Sequence, residues 1–92
     1  MAGGRGSAPS EARTLAKEVA LSLLTRSIAF GHGRLAVIRL AMAVQAGADV
    51  PQDHWLYCRE AATSCKDEAL HRLFIEATQS AQVVSNATPR IN

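Results

Sequence analysis

Four residues in the second half of the chain, His54, Cys58, Cys65 and His71, have the types that bind zinc. His54 and Cys58 stand at the i, i+4 spacing that puts two side chains on one face of a helix, and tetrahedral closure needs the other two at the same point. If residues 50–63 and 64–84 form a helical hairpin turning near Ser64, Cys58 faces His71, and His54 lies one turn deeper. Cys65 then sits at the apex, about 10 Å along the axis from Cys58 at 1.5 Å per residue. A four-ligand site does not close. A three-ligand set of His54, Cys58 and His71 stays open geometrically, but a small buried cysteine and half-exposed histidines are the commoner arrangement. We expect no metal and no cofactor. The same 10 Å exceeds the disulfide reach of about 7 Å, so both cysteines are expected as free thiols.

Nucleophilic catalysis would require one of those thiols beside a histidine base inside a pocket. A chain of 92 residues built from hairpins offers little room for one. There is no glycine-rich phosphate loop after a strand and no pair of carboxylates set apart for acid–base work. The expectation is a protein that is not an enzyme. Trp55 and Tyr57 point about 200° apart on a helix. One of them is expected in the core and the other is a candidate anchor for a partner, with two ordinary packing residues as the alternative.

The elements that must position these residues follow from composition. Alanine occurs 17 times and aromatic residues four times, while β-favouring runs are missing, so the chain is expected to be all-α and a single domain. Charged residues make up 20% and hydrophobic ones 48%, and the formal charge is only +2. That balance argues against a strongly electrostatic nucleic-acid binder and for apolar surface that meets a partner. No segment is apolar for the roughly 20 residues of a membrane span, and no signal-peptide core precedes Leu15. A cytoplasmic protein is expected.

Leu35 to Val44, reading LAVIRLAMAV, is apolar on every side and belongs in an interior. This second helix is expected from near Arg34 to Gly47, with the other three around it. The first helix runs from an N-cap at Ser10 to about Phe30, with core stripes Leu15–Val19–Leu23–Phe30 and Leu21–Leu24–Ile28, and Gly31 or Gly33 supplies its left-handed stop. Asp49 and Gln52 form a D-x-x-Q capping box for a third helix over 50–63. Ser64 to Asp67 repeats it as S-x-x-D for a fourth helix that fades by Val84. Residues 1–9 and 85–92 read as tails, the former with the composition of a disordered segment.

Laid on itself at an offset of 33, the sequence pairs Leu23 with Leu56, Arg26 with Arg59, Ala29 with Ala62, Ala36 with Ala69, Arg39 with Arg72 and Leu40 with Leu73. Four helices thereby become two antiparallel hairpins. With Leu23, Gly31, Ala36, Leu40 and Ala43 in the first unit and Leu56, Ala69, Leu73 and Ala77 in the second, the chain resembles tetratricopeptide-type arrays over about 19–79. Ser27 at the usual aromatic position, Ser64 in place of the turn glycine and the late Pro51 depart from that pattern. A tetratricopeptide-like array and a compact four-helix bundle are the two arrangements open. The resemblance implies a small protein-binding adaptor or chaperone that holds an apolar segment of another protein, or of a second copy. The alternative is a nucleic-acid-associated regulator. Its phosphate contacts would come from Arg26, Arg39, Arg59 and Arg72, unless those arginines only pair with Glu60, Asp67, Glu68 or Glu76 at the surface.

Overall fold

The computed structural model describes the backbone of residues 9–87 and the side chains of 10–82. Residues 1–8 of the expected tail 1–9 and the last residues 88–92 lie outside the described residues. The described residues are all-α, with four helices in chain order: α1 Pro9–Ala29, α2 Gly33–Gln45, α3 Gln52–Ser64 and α4 Glu68–Ala87.

Glycine stops the first two helices in the same way. Gly31 takes φ +74°, its N–H bonds the Ile28 carbonyl and the His32 N–H reaches back to Ser27. This is the paired closure of a Schellman motif, which a residue with a Cβ adopts only at a cost. Gly47, at φ +83°, closes α2 identically through Gly47 to Val44 and Ala48 to Ala43. Gly33 has another task. A Cβ there would lie 3.1 Å from the Ala61 Cβ, so its bare backbone lets the start of α2 approach the end of α3.

Three expected helix starts are corrected. Pro9 rather than Ser10 opens α1, and the Ser10 carbonyl instead accepts the Thr14 hydroxyl at 2.9 Å. The Asp49–Gln52 capping box does not form: extended Pro51 precedes α3, no side chain caps it, and Gln52 is the first helical residue. Pro51 takes the N-cap position instead, and its carbonyl accepts the His54 and Trp55 N–H groups at 3.0 and 3.2 Å. Ser64 is the last residue of α3, its hydroxyl donating to the Glu60 carbonyl, and Asp67 is the cap of α4. Its Oδ1 accepts the N–H groups of Ala69 and Leu70 at 3.0 and 3.3 Å. The fourth helix also runs on to Ala87, past the expected end at Val84 and into the expected tail.

α2 touches all three other helices, α1 touches α3, α3 touches α4, and among the described residues α1 and α4 do not meet. The chain therefore zigzags, with α1 and α3 side by side in one layer and α2 and α4 in the other. A thickness of 21 Å fits two layers of helices about 10 Å across. Leu24, Val37, Leu40 and Cys58 are wholly buried at the junction, with Ala20, Ala36, Ala43, Ala62 and Ala77 where helices approach closely. Ser27 is buried with them and returns its hydroxyl to the Leu23 carbonyl. One face of α2 departs from the expectation, because Ile38 and Met42 are exposed.

Candidate functional site

The residues expected to carry chemistry are dispersed. His54, in the first turn of α3, directs Nε2 to the Thr25 hydroxyl of α1 at 2.9 Å and Nδ1 to Asp53 at 3.1 Å. Cys58 is buried behind it, and burial pushes its thiol up to about 11. Cys65 accepts a hydrogen bond from Arg34 of α2 at 2.9 Å, and His71 is exposed on α4. The expected opposition of Cys58 and His71 is therefore absent, since one faces the core and the other water. Among the described residues no three His, Cys, Asp or Glu side chains lie close enough to share a metal ion.

Trp55 and Tyr57 both pack against the core as half-buried residues. The Trp55 ring meets Phe74 of α4 edge-on at 6.1 Å, and neither is an exposed anchor. Arg26, Arg59 and Arg72 are exposed, and Arg39 is half-buried. None of the four makes an ion pair among the described residues, so the expected pairing with Glu60, Asp67, Glu68 or Glu76 is not formed. The arginine that does pair is Arg34, whose guanidinium grips Asp67 at the mouth of α4. Asp67 is held below the usual carboxylate range, first by the Arg34 hydrogen bond and then by the Leu70 N–H. Sequence reasoning missed this link between α2 and the α3–α4 junction, because nothing in the 33-residue separation marks it.

The feature available for recognition lies on α1. Its two apolar stripes point apart, since Leu24 is nine residues, or about 180°, from Leu15. Leu24 is wholly buried and Leu21 and Ile28 pack on the core, but Leu15 is 61%, Val19 49% and Phe30 68% exposed. α1 does touch two neighbours, α2 and α3, but of its first stripe only Leu23 is half-buried. Every residue from Ser10 to Val19 is exposed. The reason is length: 21 residues in α1 against 13 in α2 leave an overhang of about 12 Å. Lys17, whose Cε lies 3.5 Å from where a Cβ on Gly47 would sit, marks the level at which α2 ends. Phe30 is steadied on one side by the His32 ring, stacked at 6.1 Å.

No family, curated protein or solved structure matches the chain. No helix among the described residues is long and apolar enough to cross a membrane.

Proposed function

We propose that this protein is a small cytoplasmic binding module of the adaptor or chaperone kind, whose α1 face takes an apolar helical segment of a protein partner. The observation that carries the reading is the uncovered stripe Leu15–Val19–Phe30. Large apolar side chains gathered along one helix face are costly in water and mark surfaces that bind. The zigzag of helix neighbours, with α1 and α4 apart, supports a tetratricopeptide-like array over a closed bundle, and an array leaves its end helices free to take a further element. Near-neutral charge and the scattering of Arg26, Arg39, Arg59 and Arg72 over four helices favour protein over nucleic acid as the partner.

A photo-crosslinking residue placed at Val19, with Arg59 as the control position on α3, tests this in living cells. Protein adducts at Val19 and none at Arg59 are expected. Adducts to nucleic acid, or an equal yield at both positions, would overturn it.

A further inference from the structure

The segment that covers the α1 face is, we infer, α1 of a second copy of this chain. The two helices lie antiparallel across a two-fold axis at Ser22. This rests on the reading of α1 as a binding face and names its occupant.

The charges on that face are arranged for its own copy. Glu11 and Glu18 stand in the first half and Arg26 in the last turn, all exposed and none of them paired among the described residues. Arg13 and Lys17 lie about 160–200° from Leu15 and do not intrude. A parallel pair would set Glu18 against Glu18 and Arg26 against Arg26. Antiparallel pairing about Ser22 brings Glu18 beside Arg26 of the second copy, and the two-fold makes the contact twice.

Size follows the same symmetry. Two shallow depressions run end to end along α1, one from Ser10 to Glu18 and the other from Glu18 to Phe30. The two-fold lays each over the other. Leu15 then meets the small Ala29 of the second copy with Phe30 beside it, and the pair is repeated at the opposite end. Ser22, small and exposed, stands at the crossing, where axes 8–10 Å apart leave room for nothing large. The overhanging turns of α1, which have no neighbour among the described residues, gain one in the other copy. The contact closes on itself, so association stops at two.

The test uses the full chain and three kinds of variant. Sedimentation of the unaltered protein should give a dimer within the micromolar range. Glu18→Arg or Arg26→Glu alone sets like charges together and should weaken that dimer about tenfold or more, while the two together should restore it. Ser22→Cys in a Cys65→Ser background should give a disulfide-linked dimer on mild oxidation, and Thr63→Cys should not. All of these positions are exposed, apart from half-buried Cys65, and helix content by circular dichroism should be unchanged. A monomer up to millimolar concentration overturns the second copy, and Val19 adducts to a different protein would then still support the binding face. A dimer indifferent to the charge exchange and uncrosslinked at Ser22 forms elsewhere and also overturns it. If such a dimer were accompanied by no Val19 adduct of any kind, the binding-face reading would fall too.

Discussion

Cys58 and Cys65 sit seven residues apart, yet they differ in chemistry because one is sealed and the other is at a helix end. The Cys58 thiol is buried and shifted from its ordinary value near 9 to about 11, and only the thiolate reacts. In the native protein at pH 8 a thiol reagent should label Cys65 promptly and Cys58 only as fast as the chain unfolds. Two promptly reacting thiols would contradict this packing. The sign of the pH effect follows: a thiol with a raised folded value contributes stability present below its unfolded value, which is lost as pH climbs from about 9 toward 11. Asp67 works in the opposite direction. Its depressed value means that its contribution is present above the unfolded carboxylate range near 3.9 and is lost as pH falls through the folded value. Asp67→Asn keeps an N-cap but removes the charge that Arg34 holds. Its melting temperature should fall less steeply than that of the unaltered protein below about pH 4, and equal slopes would remove the Arg34–Asp67 pair from the account. Sequence spacing alone pointed to free thiols. It could not reveal which cation Asp67 meets, because that contact depends on where the start of α2 lands.

The second helix was recognisable as the central element because LAVIRLAMAV offers no polar face, and it does contact every other helix. Leu40 at its middle is wholly buried. Leu40→Ala should cost about 2–5 kcal/mol by leaving a cavity, a large share of what a small domain possesses. Arg26→Ala, on an exposed turn of α1, should change the stability of the single chain, at concentrations below those of the dimer, by no more than about 0.5 kcal/mol. Denaturant titration separates the two, and similar midpoints would mean that α2 is not the centre. Leu73, the repeat counterpart of Leu40, is only half-buried, because α4 lies at the edge of the zigzag with α1 out of its reach. Turn glycines were legible for a physical reason, since a φ near +74° or +83° excludes most other residues. Capping boxes were less so. Pro51 opens α3 with no side-chain cap and Asp67 alone caps α4, so the spacing of Asp49 with Gln52 and of Ser64 with Asp67 went unused.

At the scale of the molecule, periodicity revealed that α1 has two apolar stripes but not that one of them lacks a neighbour. That depends on helix order in space. α3 meets α1 and α4 does not, yet nothing among the described residues covers Leu15, Val19 and Phe30, and about two turns of α1 project past α2. Two isolated turns of helix are marginal in water, because nucleation is costly and no tertiary contact repays it. Amide protection should therefore be uneven along the chain. Residues 38–44 of α2, held on three sides, should exchange only through global unfolding, whereas residues 12–19 should open locally and exchange far sooner. Hydrogen exchange at two protein concentrations carries the argument further. If α1 is covered by a second copy, protection of 12–19 should rise with concentration while that of 38–44 stays limited by unfolding of the whole assembly. Uniform protection along α1 and α2 at high dilution would mean that the overhang is supported within its own chain, and the open face described here would have to be closed.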